Sequence, residues 1–141
     1  MKIAVVYWSG TGNTQRMAEA LAKGAQENNL EVDLFTAHDF KADMVSSYDG
    51  FAFGCPSMGV EILEERDFGP MFEEILPKLK GSPLVLFGSY GWGDGQWMRQ
   101  WEELCVEAGA VLLDEGFICR DTPNSMELEG CRNLAGLFLE M

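Results

Sequence analysis

A buried strand that runs straight into a glycine, serine and threonine loop, and from there into a helix, constrains this chain more than any other stretch. Lys2 to Trp8 is rich in Ile, Val and aromatic residues, as a strand enclosed on both faces requires. From Asn13 to Gln26 apolar residues recur at Met17, Leu21, Ala22 and Ala25, which is one face of a helix. The connection Ser9-Gly10-Thr11-Gly12-Asn13-Thr14 therefore opens a helix. The first N–H groups of a helix have no internal partner, and the aligned peptide dipoles bias that end toward an anion. Gly10 and Gly12 let the backbone curl closely, and the Ser9, Thr11 and Thr14 hydroxyls and the Asn13 amide add short donors. No lysine or arginine lies between Trp8 and Gln15. A triphosphate loop would carry Gly-Lys-Ser/Thr, and a dinucleotide fingerprint Gly-x-Gly-x-x-Gly with an acid about twenty residues on. Neither pattern is present, and neutral donors alone suit a single phosphomonoester.

The same alternation continues along the chain. Glu31 to Thr36 reads as a half-exposed strand, Asp39 to Tyr48 as a short helical or irregular connection, and Gly50 to Cys55 as a buried strand. Phe68 to Leu79 has helical spacing, Leu84 to Gly88 is a strongly apolar strand, and Gly95 to Ala108 is a helix with Trp97, Met98, Trp101, Leu104 and Cys105 on one side. Ala110 to Leu113, resuming at Phe117 to Cys119, supplies the fifth strand, and Ser125 to Leu139 the last helix. Strands alternating with helices imply an α/β fold: one doubly wound, five-stranded parallel sheet with helices on both faces, and 1–141 as a single domain. Ligands of such sheets lie beyond the carboxyl ends of the strands where the winding reverses, so the segments after strands 1, 3 and 4 should meet.

Composition excludes several classes. A net charge of −13, from 23 acidic and 10 basic residues, repels nucleic acid and anionic membrane surfaces, and 47% apolar content can furnish a core. No apolar run reaches a membrane span and no signal-peptide pattern opens the chain, so a cytoplasmic location is expected. Cys55, Cys105, Cys119 and Cys131 form no Cys-x-x-Cys pair and read as small buried residues; no metal site is expected. His38 stands alone and reads as a solvated loop residue.

Two further loops carry more than a connection needs. Gly54-Cys55-Pro56-Ser57-Met58-Gly59-Val60-Glu61 follows strand 3, and Gly88-Ser89-Tyr90-Gly91-Trp92-Gly93-Asp94-Gly95 follows strand 4. Glycines flanking Trp92 free its indole to lie on a flat partner, and Met58 offers an adaptable opposite surface. With the phosphate loop they describe a site for a planar aromatic ring on a phosphorylated tail. Trp97 and Trp101, four apart on one helix, read as core, whereas Trp8 either shields the site or finishes strand 1. Glu64, Glu65 and Asp67 read as an acidic run facing water.

In these three loops, and in Trp97-Met98, the chain resembles the short-chain flavodoxins of the clostridial type along essentially its whole length. The resemblance implies strand order 2-1-3-4-5, for which flavodoxin is itself a type example, with FMN at the strand 1 and strand 3 switch point. It also implies a low-potential one-electron carrier that turns over no substrate; a monomer is expected, and the acidic excess either steers it toward redox partner proteins with basic docking surfaces or serves solubility alone. On this resemblance Ser9 to Thr14 bind the phosphate, Trp92 stacks on one ring face and Met58 covers the other. Glu61 accepts from ring N3–H, the Gly59 carbonyl from the N5–H of the reduced ring, and Ser57 with Ser89, Tyr90 and Gly91 lines the ribityl chain and pyrimidine edge; Pro56, Val60 and Gly93 complete the set. Val60 departs from the small or polar residue usual there, and a β-branched residue is strained if the turn drives it toward positive φ. An FMN-dependent quinone or nitro reductase, or an activator of a metalloenzyme, are the competing readings; closure of both ring faces by Trp92 and Met58 speaks against the first.

Overall fold

The computed structural model describes residues 1–140; Met141, the last residue of the expected domain, lies outside them. The strands are β1 (Lys2–Tyr7), β2 (Glu31–Thr36), β3 (Gly50–Gly54), β4 (Pro83–Tyr90), β5 (Val111–Leu112) and β6 (Phe117–Arg120). The helices are α1 (Asn13–Glu27), α2 (Phe68–Ile75), α3 (Gln96–Glu107) and α4 (Ser125–Leu134). All paired strands run parallel in the order β2-β1-β3-β4-β5, with β6 also alongside β4. From β1 the chain winds outward to β2 and then crosses back to β3, so the switch point falls between β1 and β3 as expected.

The central strands β1, β3 and β4 are buried on both faces, which is why their sequences are continuous apolar runs. Two cores result. Phe51, Phe53, Phe68, Phe72, Trp97 and Trp101 form one beneath α2 and α3; Ile3, Val5, Met17, Leu21, Phe87 and Phe138 form the other beneath α1 and α4. Trp97 and Trp101 are core residues, the second meeting Phe68 edge-on with centroids 5.3 Å apart. Across the second core α1 crosses α4 so closely that a Cβ on Gly24 would strike the Arg132 backbone, and only glycine fits. All four cysteines are buried; burial pushes the Cys105 thiol up to about 12, and a hydrogen bond with Cys119, then burial, raises Cys131. His38 is exposed.

Four elements differ from expectation, each for a local reason. The helix expected over Phe68 to Leu79 leaves α geometry after Ile75, because Pro77 has no N–H to donate and its ring crowds the preceding turn; 3₁₀ geometry covers Leu76–Lys78. The last helix likewise tightens to 3₁₀ at Ala135–Leu139. The fifth strand stops and resumes at Phe117 as expected, but its two pieces are separate strands, β5 and β6, which pair with opposite ends of β4. Strand 4 runs two residues beyond Gly88, so Ser89 and Tyr90 belong to β4 rather than to the loop after it, held by pairing with Cys119 and Arg120.

Candidate cofactor site

At the carboxyl ends of β1, β3 and β4 the sheet hydrogen bonding continues past the strands. Trp8 N–H donates to the Gly54 carbonyl (3.0 Å), Cys55 N–H to Phe87 (3.1 Å), Ser57 N–H to Ser89 (3.0 Å) and Asp121 N–H to Tyr90 (2.8 Å). These bonds fix the roots of the loops and leave a cleft of about 260 Å³ between them. Its walls include eleven of the expected residues: Ser9, Gly10, Thr11, Asn13 and Thr14 from the first loop, Pro56, Ser57 and Met58 from the second, and Ser89, Tyr90 and Gly91 from the third. The three loops meet as the topology required.

The remaining six are not on the wall. Gly12, with φ 95°, is the residue before α1 and turns the chain into the helix in a left-handed conformation that suits glycine. Gly59, Val60 and Glu61 form the tip of an arch closed by mutual Met58 and Ile62 hydrogen bonds of 2.8 and 3.1 Å. Positive φ falls on Gly59 (39°) and Glu61 (57°) and not on Val60, so the strain expected at the β-branched residue is borne by Glu61 instead. Glu61 Oε1 accepts from the Asp94 and Gln96 N–H groups, both at 3.2 Å, tying the second loop to the start of α3. Trp92 is 60% exposed and Gly93 stands beside it, both outside the cleft; the aromatic rings on the wall are Trp8 and Tyr90.

Trp8 and Asp121 are wall residues that the motifs did not assign. For Trp8 the signal was its place at the end of strand 1. For Asp121 it was the junction of strand and turn, where φ is 56°, a conformation Asp tolerates better than most side chains. Among the described residues Asp121 is also the only carboxylate on the wall, and no lysine or arginine lines it.

Donor chemistry at α1 fits a phosphate. The hydroxyls of Thr14, 1% exposed, and Ser89, 6%, are hydrogen-bonded at 3.0 Å with either able to donate, while Ser89 N–H donates to Thr14 Oγ1 at 3.4 Å. If the Ser89 hydroxyl is the donor, Thr14 keeps its own proton for the cleft. Ser9 Oγ accepts from Gly12 N–H (3.1 Å) and Gln15 N–H (3.3 Å), so its proton too is free to donate. No acid occupies the first turn of α1 and the residue before it provides no side-chain cap. Next to this polar end, Trp8, Met58 and Tyr90 give an apolar wall suited to a flat ring. The residues present therefore fit FMN.

Residues 5–134 match the family model described as Flavodoxin. The chain is 45% identical to a flavodoxin of Clostridium beijerinckii over 123 residues, 87% of this chain and 89% of that protein. It is 38% identical to a flavodoxin of Megasphaera elsdenii over 132 residues, 94% of each. The solution structure of two-electron reduced Megasphaera elsdenii flavodoxin superposes with a TM-score of 0.84 at 37% identity, covering 94% of this chain and 97% of that one. Sheet order, loop motifs and these likenesses converge: the chain belongs to the flavodoxin family, as an FMN-binding electron carrier and not an enzyme.

Proposed function

We propose that FMN is seated with its phosphate at the start of α1 and its ring beside the arch of the second loop. The observation that carries this reading is the α1 start itself, a helix terminus lacking an acidic cap of its own and opening into the cleft. Bound there, FMN supplies reversible one-electron chemistry. Ser9, Thr11, Asn13 and Thr14 donate to the phosphate, and the first-turn N–H groups of α1 add their dipole. Ser57, Ser89, Tyr90 and Gly91 line the tail and pyrimidine edge. Met58 would cover one ring face, and Trp92, turned inward from its exposed position, would cover the other. The second oxygen of Glu61 accepts from ring N3–H while the first stays on Asp94 and Gln96. The Gly59 carbonyl would be an acceptor for a ring N–H, and the Asp121 carboxylate on the cleft wall would disfavour added negative charge there.

Residues 1–141 act as one domain, as a monomer in the cytoplasm. Among the described residues no helix is long and apolar enough to cross a membrane. With a net charge of −13, the chain selects redox partners that present basic docking surfaces. Absorbance titration of the flavin-free chain with FMN, followed by stepwise reduction, tests the reading. Saturation at one flavin per chain with two separated one-electron steps is expected; no saturable binding, or one unresolved two-electron step, would overturn it.

A further inference from the structure

The second loop is an arch whose two feet meet where Glu64 N–H donates to Cys55 Sγ at 3.4 Å. The Cys55 foot is fixed to the sheet and to α3: its N–H donates to Phe87 in β4, and its carbonyl accepts from Trp97 Nε1 at 3.2 Å. The Glu64 foot is fixed by its own carboxylate. That side chain is 5% exposed and accepts from the backbone N–H groups of Arg66, Asp67 and Phe68 at 2.7, 2.8 and 2.7 Å. The Glu64 carbonyl also accepts from Gly69 N–H at 2.7 Å. Immediately beyond, Phe68 is fully buried against Phe72 and Trp101. The foot is thereby clamped to a rigid core element.

A cap serving α2 alone could sit on the surface, where a carboxylate keeps its hydration. Burying one is costly and is offset here by three short charge-assisted bonds and by the nearby Arg66 charge. Among the described residues the arch tip, Gly59 to Glu61, has no comparable anchor: Val60 is 77% exposed, and the tip is tied down by the Met58 and Ile62 bridge and by the Glu61 bonds of 3.2 Å. Its position relative to the cleft, whose wall its neighbour Met58 lines, is therefore set from its feet. We propose that Glu64 is a positioning residue for FMN, holding the arch in the conformation that presents Met58, Gly59 and Glu61 to the ring. This rests on the cleft being the FMN site. Freeing the foot lets the tip sample other conformations, and affinity falls by the fraction of chains left in the competent one.

Titration of the wild-type chain with FMN comes first, and absence of binding there would overturn the FMN reading and the proposal with it. Given binding, Glu64→Gln should raise the Kd for FMN about tenfold, as expected if the competent conformer falls to about a tenth of the population. Asn124→Ala, which removes the cap of α4 at a position that does not line the cleft, should leave that Kd within about twofold. An unchanged Kd in Glu64→Gln would overturn the proposal. The wild-type protein provides a test that survives even if this variant does not fold. Coupling is reciprocal, so FMN should slow hydrogen exchange at the Arg66, Asp67 and Phe68 amides, which lie off the cleft wall. Exchange there that ignores FMN would overturn the positioning role.

Discussion

The start of α1 and the start of α2 are built from the same backbone chemistry and closed in opposite ways. At α2 the buried Glu64 carboxylate accepts from three N–H groups at 2.7 to 2.8 Å. At α1 a neutral Ser9 hydroxyl accepts from two, at 3.1 and 3.3 Å, and no acid enters the first turn. The other helices side with α2: Glu61 accepts from two N–H groups at the start of α3, and Asn124 and Glu127 cap α4 reciprocally at 2.8 and 3.0 Å. Among the described residues α1 is thus the one helix whose positive end is left for an outside anion. A helix terminus becomes a binding site when the chain withholds its own carboxylate.

The most severe way to break the contrast is to give α1 an acid. Ser9→Asp places a carboxylate where Ser9 Oγ now accepts from Gly12 and Gln15. It should lower FMN affinity about 100-fold through charge repulsion while raising stability by about 0.5 kcal/mol. Calorimetric titration and thermal melting read both; unaltered affinity would place the phosphate elsewhere.

Removing the acid from α2 is the converse. Glu64→Ala should cost about 2 kcal/mol in urea unfolding, the loss of charged hydrogen bonds to one buried and two part-buried N–H groups. The contribution depends on pH. Burial raises the carboxyl pKa, but the Phe68, Asp67 and Arg66 N–H groups and then the Arg66 charge outweigh it, leaving the value below the ordinary one. A lowered folded pKa means stability that is present above the unfolded value of about 4.3 and lost as pH falls through the folded value. The gap between wild type and Glu64→Gln should therefore be constant above about pH 5 and shrink below it. A gap that persists at the acid limit would contradict the charged cap.

Smaller effects sharpen the picture. Trp92→Ala should weaken FMN binding by about 0.5 to 1.5 kcal/mol and relieve part of the flavin fluorescence quenching. If both stay at wild-type values, the stacking ring is Tyr90, which already stands on the cleft wall. Asn124→Ala should lower stability by about 1 kcal/mol and leave flavin affinity alone.

What the sequence made legible follows from how local each signal is. Buried parallel strands show as unbroken apolar runs, and the order of glycine, serine and threonine after β1 announces the phosphate loop, so the sheet and most of the cleft could be read directly. The contrast between helix starts could not. Glu64 sits in an acidic run with Glu65 and Asp67 and looked solvated, yet it lies four residues before the first buried aromatic of α2 and turns inward to cap it. Asp121 reaches the cleft only because β6 pairs with the far end of β4, a register that no short window of sequence contains. The splitting of the fifth strand was half visible in Asp114-Glu115-Gly116, since such residues interrupt a ladder.

The claim that α1 is left open for a phosphate is tested most directly by comparing FMN with riboflavin, which differ only in that group. Fluorescence titration of the flavin-free chain should give FMN at least about 100-fold tighter binding, about 2.7 kcal/mol for several hydrogen bonds to a charged group. Equal affinity for the two flavins would contradict the account.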